Sequence, residues 1–229
     1  MSETLIRVEN VSKVYGTGEA STTALDNVNL TVKRGSWLAV MGPSGHGKST
    51  LLQIMGGLDR PTAGQIYLNG LELTALPPNA LARSRAKEIG FVFQFFNLLP
   101  HLTAFENIQM ALWFGGMESR AGKARALALL DAVGLTGKAN FFPSMLSGGQ
   151  QQRVAIARAL ANDPDVLLMD EPSGNLDSAS EAELLQLLKR LHAQGKTIVM
   201  VTHNAAVATH AQQVVRVKDG RIEEADHAL

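Results

Sequence analysis

The 229-residue sequence has no cysteine. That excludes a disulfide framework and cysteine-ligated zinc, and it permits a reducing compartment. An excess of charge of either sign is missing too, since Lys plus Arg and Asp plus Glu each number 21. Without a broad basic field, sequence-independent binding of nucleic acid phosphates is disfavoured, and no nucleic acid partner is expected. Long apolar runs are lacking. Stretches such as residues 166–169 and 198–201 are far too short to span a bilayer. The first ten residues carry neither the basic start nor the apolar core of a signal peptide. Direct membrane insertion is therefore not expected, and any membrane role must come through a partner. Internal repeats, low-complexity tracts and coiled-coil heptads are likewise missing. What is present is a hydrophobic fraction of 45%, ordinary for a globular protein, in a length that suits one large α/β domain or one domain with a smaller lobe.

Residues 5–14 alternate apolar and polar side chains, as do Val28, Leu30 and Val32, and predict an antiparallel β region near the start. Residues 37–41 are continuously apolar and stop at a glycine-rich turn, the pattern of a buried strand. Helical spacing follows over residues 51–58 and ends at Asp59-Arg60-Pro61. Ile66 and Leu68 predict a strand before an Asn69-Gly70 turn, and Asp219-Gly220 predicts a second hairpin. Residues 89–93 form another short apolar run. Residues 103–114 and 119–133 then carry Ala- and Leu-rich helical spacing, so residues 95–160 are expected to form an inserted helical lobe. Strand signals return at 166–169, 197–201 and 214–217, with a helix over 178–194. This alternation predicts an α/β fold with a mostly parallel sheet.

Gly42-Pro43-Ser44-Gly45-His46-Gly47-Lys48-Ser49, followed by Thr50, fits the phosphate-loop pattern between a predicted strand and a predicted helix. Glycines let the backbone curl so that N–H groups converge on phosphate oxygens, and the helix that follows presents its positive end to the same anion. Lys48 is expected to reach the β- and γ-phosphates, and Ser49 to offer its hydroxyl to Mg²⁺. The pattern alone says nucleotide phosphate, and kinases, GTPases and other ATPases share it. The strand at 166–169 ends in Asp170 and Glu171. In a parallel sheet, ligands gather beyond the carboxyl ends of the strands. Asp170 suits a Mg²⁺ shell, and Glu171 suits a base that orients and deprotonates water.

Leu146-Ser147-Gly148-Gly149-Gln150 opens a further helical stretch, and Ser and Gly at a helix start make a second anion cradle. With this motif the chain resembles the nucleotide-binding domain of ABC ATPases over nearly its whole length. The resemblance implies a P-loop NTPase fold, with a RecA-like core at 1–94 and 161–229 and a helical subdomain at roughly 95–160. It implies that Tyr15 stacks on adenine, that Gln94 touches Mg²⁺ and the water, and that His203 contacts the γ-phosphate. Gly174-Asn175-Leu176-Asp177 resembles the D-loop, with Asp177 beside nucleotide. Taken singly, each has a plainer reading: Tyr15 a strand aromatic, Gln94 a loop residue, Asp177 a helix N-cap, His203 a strand-end histidine. Their joint occurrence in order carries the resemblance. It further implies ATP and Mg²⁺ as cofactors, and a homodimer in which Ser147, Gly148, Gly149 and Gln150 of one copy close over ATP held at Lys48 of the other.

Residues 89–100, 102–107 and 174–177 resemble the branch of lipoprotein-releasing, macrolide-exporting and cell-division ATPases. That branch implies a separate integral membrane permease, a place on the cytoplasmic face of the cell membrane, and export or extraction of a lipoprotein, lipid, peptide or drug-like substrate. The alternatives are an importer subunit and a non-transport ABC ATPase. The run Phe95, Phe96, Leu98 and Leu99 suits either a groove for the permease or packing inside the helical lobe. Two positions depart from the pattern. His46 replaces a small residue and is expected to point outward, and Asn204 follows His203 where this branch has Asp.

Overall fold

The computed structural model describes residues 3–117 and 119–227; the first two residues of the N-terminal reading above lie outside them. The fold is α/β and comprises two compact units.

The first unit holds residues 1–81 and 195–229. Strand β1 (Thr4–Tyr15) pairs antiparallel with β2 (Thr22–Lys33) and with β4 (Ala63–Leu68), and β5 (Leu71–Glu72) completes the order β2-β1-β4-β5. The alternation expected over residues 5–14 is broken once. Asn10, at φ 49°, inserts a bulge between Val8 and Val11, so both valines stay buried although they stand three residues apart. Both expected hairpin turns are present. Asn69 and Gly70 have φ of 52° and 77°, and Asp219 and Gly220 have 48° and 75°. Two consecutive positive φ values are what a two-residue turn needs to match strand twist.

Strand β3 (Trp37–Met41) lies between β8 (Thr197–Val201) and β9 (Gln213–Lys218), parallel to both. Strand β10 (Arg221–His227) returns antiparallel to β9. Flanked by ladders on both sides, β3 buries Trp37, Leu38, Ala39 and Val40, hence its unbroken apolar run. Helix α1 (Lys48–Met55) starts three residues earlier than its apolar pattern and ends at Gly56-Gly57. Its first turn, Lys48-Ser49-Thr50, is polar, so hydrophobic periodicity misses it. Gly57 has φ 63°, and a Cβ there would lie 2.8 Å from Leu81 Cδ1. The short helix α7 (Ala205–Ala208) follows β8 and has no periodic signal.

Helix α2 (Pro78–Glu88) leads the chain into the second unit, residues 82–194. Apolar periodicity does not mark it, because Arg83, Arg85 and Lys87 leave little apolar stripe; Pro78 at its first position is the start signal it carries. Strand β6 (Ile89–Val92) pairs parallel with β7 (Val166–Asp170). Between them run α3 (Ala104–Phe114), α4 (Ser119–Ala132) and α5 (Gly148–Ala159), and α6 (Ser178–Ala193) follows β7. Thr103 caps α3 in a reciprocal capping box with Glu106, so the expected start at Thr103 is the cap itself. Helices α3 to α5 lie within residues 95–160, and the same unit also contains β6, β7 and α6.

Candidate functional site

In the first unit, β3 and β8 are adjacent parallel strands with Val40 opposite Val201, and Thr202 N–H donates to Val40 O at 3.1 Å. The loop at Gly42 and the exposed His203 therefore leave the same sheet edge. Two glycines in that loop are obligatory. Gly42 has φ 143°, and a Cβ there would lie 2.0 Å from Val217 O. Gly47 has φ 97°, and its Cβ would lie 2.2 Å from Ala24 O. Pro43, Ser44 and Gly45 are exposed along the crest, and Ser49 and Thr50 are half-buried in the first turn of α1. Gly47 is the N-cap of that helix and brings no side chain to it, and the positive end of a helix attracts an anion. Lys48 is only 7% exposed, and its ammonium donates to Gly42 O and Pro43 O at 2.8 Å each. A buried ammonium inside a curled glycine loop fits a phosphate, which can replace those carbonyls as acceptor.

His46 does not point outward as expected. Its Nδ1 accepts the Asp219 N–H at 2.9 Å and lies 3.1 Å from Asp219 Oδ1, and its carbonyl accepts the Gly220 N–H at 3.3 Å. The extra ring thus ties the phosphate loop to the β9–β10 turn. Asn204 caps α7: its side chain accepts Ala206 N–H at 3.0 Å. Asn and Asp serve this purpose about equally, which accounts for the tolerated departure. Tyr15 ends β1, half-exposed, with its hydroxyl donating to Asp59 at 2.8 Å.

In the second unit, Val92 of β6 stands opposite Met169 of β7, so Gln94 and the pair Asp170-Glu171 leave one edge of these strands. All three are half-buried. Glu171 has φ 47°, a conformation that costs a non-glycine residue about 1–3 kcal/mol and clusters at functional positions. The turn beyond it closes with Gly174 N–H to Glu171 O at 3.0 Å. Asn175 Nδ2 donates to Gln94 O at 2.9 Å, joining the segment after β6 to that after β7.

Ser147 is exposed and caps α5, with Ser147 Oγ accepting Gln150 N–H at 3.3 Å and Gln150 Oε1 accepting Ser147 N–H at 3.2 Å. Gly148 is half-buried. Gly149 is buried, and a Cβ there would lie 2.4 Å from Ser180 Oγ. Asp177 caps α6: it accepts Ser180 N–H at 2.8 Å and Ser180 Oγ–H at 3.1 Å, and these bonds hold its carboxyl below the usual carboxylate range. Ser180 thereby joins the starts of α5 and α6, a junction no motif signalled.

Sequence reasoning also missed Gln152. It is 1% exposed on the buried face of α5, and its Nε2 donates to Pro172 O at 2.7 Å, just past Glu171. Its Oε1 is buried with no hydrogen-bond partner among the described residues. A polar residue on a helix stripe otherwise made by Gly149 and Ile156 was the available signal. Gln152→Leu would leave the Pro172 carbonyl unpaired, so it is expected to destabilise the protein by about 1–3 kcal/mol, read as a lower urea midpoint. An unchanged midpoint would contradict this role.

The run after β6 divides in exposure, with Phe96 and Leu98 half-buried. Phe95 and Leu99 are exposed, while Phe96 and Asn97 take φ of 60° and 49° with both carbonyls facing the Arg158 guanidinium. A cleft of ≈ 500 Å³ is lined instead by Arg83, Phe91, Phe93, Asn97, Phe114 and Arg158, with Phe91 and Phe93 stacked 5.7 Å apart. Neither Phe96 nor Leu99 lines it.

A family model described as ABC transporter matches residues 25–174. The chain belongs to the ABC transporter family. An uncharacterized ABC transporter ATP-binding protein of Thermotoga maritima is 48% identical over 219 residues, 96% of this chain and 94% of that protein. The macrolide export ATP-binding/permease protein MacB 2 of Aeromonas hydrophila is 46% identical over 224 residues. That match covers 98% of this ABC-family chain but 35% of MacB 2, so the chain spans about a third of that relative. Among solved structures, the ATP-binding cassette MJ0796, described as a dimer in a post-hydrolysis state bound to ADP and Pi, superposes with a TM-score of 0.91 at 45% identity, covering 98% of this chain and 99% of that one. The ABC ATP-binding fold is therefore shared over essentially the whole chain.

Proposed function

We propose that the chain is the ATP-hydrolysing subunit of an ABC transporter that exports or extracts a lipoprotein, lipid, peptide or drug-like substrate through a separate permease. The observation that carries this reading is the buried Lys48 ammonium inside a loop whose Gly42 and Gly47 admit no side chain. Kinship with macrolide export ATP-binding/permease proteins supports the direction of transport. Among the described residues no helix is long and apolar enough to cross a membrane.

The phosphates of ATP lie along residues 42–50, with Lys48 exchanging its loop carbonyls for phosphate oxygens. Ser49, Gln94 and Asp170 would hold Mg²⁺, which when bound would supply positive charge against the negative charge that develops on the phosphates. Glu171 takes a proton from the water that attacks the γ-phosphate in line, and Gln94 and His203 orient that water and the phosphate. Tyr15 stacks on adenine. Because phosphate loop and signature occur once each, two copies stand head to tail. The exposed Ser147 and the start of α5 in one copy then face the γ-phosphate bound by the other, with Gly148, Gly149 and Gln150 shaping that start and Asp177 lining the junction. In this division the RecA-like core is residues 1–94 and 161–229, and the helical subdomain is residues 95–160.

The cleft carrying Phe91, Phe93 and Phe114 receives a helical segment of the permease. Phe114→Asp is expected to cut capture of an ABC permease from detergent-solubilised membranes by more than about tenfold, since a carboxylate cannot be desolvated cheaply there, while ATP hydrolysis by the isolated subunit persists. Undiminished capture by the folded variant would refute the cleft assignment. Absence of phosphate release by the wild-type protein with ATP and Mg²⁺, at concentrations where ATP binds, would refute the hydrolytic reading.

A further inference from the structure

Besides a side-chain hydrogen bond with Thr50 at the start of α1, Tyr15 is held by Asp59 and Lys13. Its hydroxyl donates to Asp59 Oδ2 at 2.8 Å, and Lys13 Nζ lies 4.8 Å from the ring centroid, over one face. Lys13 donates in turn to Asp59 Oδ1 at 2.8 Å and to Arg60 O at 2.7 Å. Phenol, carboxylate and ammonium thus close a triangle across 46 residues of sequence. Asp59 is itself anchored, since its Oδ1 accepts the Arg60 N–H at 2.7 Å. Burial pushes the Asp59 carboxyl up, but hydrogen bonds from Lys13 and Tyr15 outweigh it and hold the carboxyl below its ordinary value. Burial, then the bond to Asp59, raises the Tyr15 phenol, so it stays a donor at neutral pH.

The exposure is unequal. The Lys13 side chain is 13% exposed and that of Asp59 30%, whereas Tyr15 is 41% exposed. A largely buried ammonium and a half-buried carboxylate thus hold an aromatic ring that stands in solvent. With Lys13 over one face, the ring has one face left to offer. A free tyrosine at a strand end would lose side-chain freedom when a base stacked on it, and that loss would weaken binding. Here the ring is fixed in advance, and the cation behind it adds an attraction of its own.

We propose that Asp59, together with Lys13, is a positioning clamp for Tyr15 that sets the share of nucleotide affinity contributed by the purine base. The proposal rests on Tyr15 being the adenine-stacking residue. In this role Asp59 is a positioning residue that acts through the ring. Phosphate recognition at residues 42–50 does not need it, so its removal should weaken ATP while leaving inorganic tripolyphosphate unaffected.

The test measures ATP and tripolyphosphate binding by calorimetry for wild type, Tyr15→Ala, Tyr15→Phe, Asp59→Asn and the Tyr15→Phe/Asp59→Asn pair. With its oxygen kept on Lys13 and the Arg60 N–H, Asn turns an amide nitrogen to the phenol, so the phenol loses its charged acceptor and Lys13 its counter-charge. Tyr15→Phe and Asp59→Asn are each expected to weaken ATP roughly three- to tenfold, the order of one side chain's ordering cost, with tripolyphosphate unchanged. The pair should be no weaker than the worse single variant, because both remove the same anchor. The chain has two tyrosines, so 3-fluorotyrosine labelling should give two ¹⁹F resonances, one of which moves in Asp59→Asn. If Tyr15→Ala loses ATP affinity but Tyr15→Phe and Asp59→Asn do not, the clamp is overturned and stacking stands. If Tyr15→Ala binds ATP like wild type, the stacking role and the clamp both fall. An equal loss of ATP and tripolyphosphate affinity in Asp59→Asn would mean a general defect of the fold and would also overturn the clamp.

Discussion

Glu171→Gln protein is expected to bind ATP with Mg²⁺, to pass from monomer to dimer on doing so, and to release phosphate roughly 10²–10⁴ times more slowly than wild type, the usual contribution of a positioned base. The substitution keeps the shape and one acceptor oxygen, so water can still be held, but an amide cannot take its proton. It also removes a negative charge that would face the γ-phosphate, which favours the ATP-bound state over the open one. The backbone supports this position. Glu171 sits half-buried at φ 47°, its carbonyl accepts the Gly174 N–H, and Gln152 holds the next carbonyl. Those contacts use main-chain atoms and survive the change, so the expected loss is one of rate and not of fold. Size-exclusion chromatography with light scattering, with and without ATP and Mg²⁺, reads the dimer, and a phosphate-release assay reads the rate. Wild-type turnover by the variant would remove Glu171 from the role of base.

The second large effect is on binding. Lys48→Ala should raise the ATP dissociation constant about 100-fold, which corresponds to roughly 2.8 kcal/mol at 1.4 kcal/mol per decade. The ammonium is almost fully buried and is already surrounded by acceptors, Gly42 O and Pro43 O. Exchanging two neutral carbonyls for phosphate oxygens turns its hydrogen bonds into charge-paired ones in a site partly shielded from water, where such bonds are strongest. Alanine gives up both. Circular dichroism would establish that the variant is folded, and calorimetric titration with ATP would give the constant. An unchanged constant in folded protein would place the phosphates elsewhere. Gly42 and Gly47 offer no comparable test, because any side chain there strikes the Val217 or Ala24 carbonyl and the fold itself would change.

Much of this architecture was legible from local rules. Asn69-Gly70 and Asp219-Gly220 announced hairpins because few residue pairs accept two positive φ values in a row. The stretch at 103–114 and the helix after Asp177 were legible because Thr103 and Asp177 are N-caps beside an apolar stripe. Where the apolar pattern was silent, the reading slipped. The polar first turn of α1, the arginine-rich α2 and the four-residue α7 have no hydrophobic period to detect. The bulge at Asn10 escaped too, since alternation over β1 looks regular until the register with β2 is known.

By itself, the sequence determined which residues follow which strand: the Gly42 loop, Gln94, Asp170 and His203 each come directly after an apolar run. That β3 pairs with β8 and β6 with β7 was decided by the fold, because spacing along the chain does not choose a strand's neighbour. Only the tertiary structure decided how those side chains are held. His46 meets Asp219 across 173 residues, Arg158 braces Phe96 across 62, Tyr15 is clamped by Asp59 across 44, and Gln152 reaches Pro172 across 20. No periodicity links such pairs. They form because packing of the elements brings a donor to an acceptor, and a buried polar group must be answered by whatever the fold places beside it.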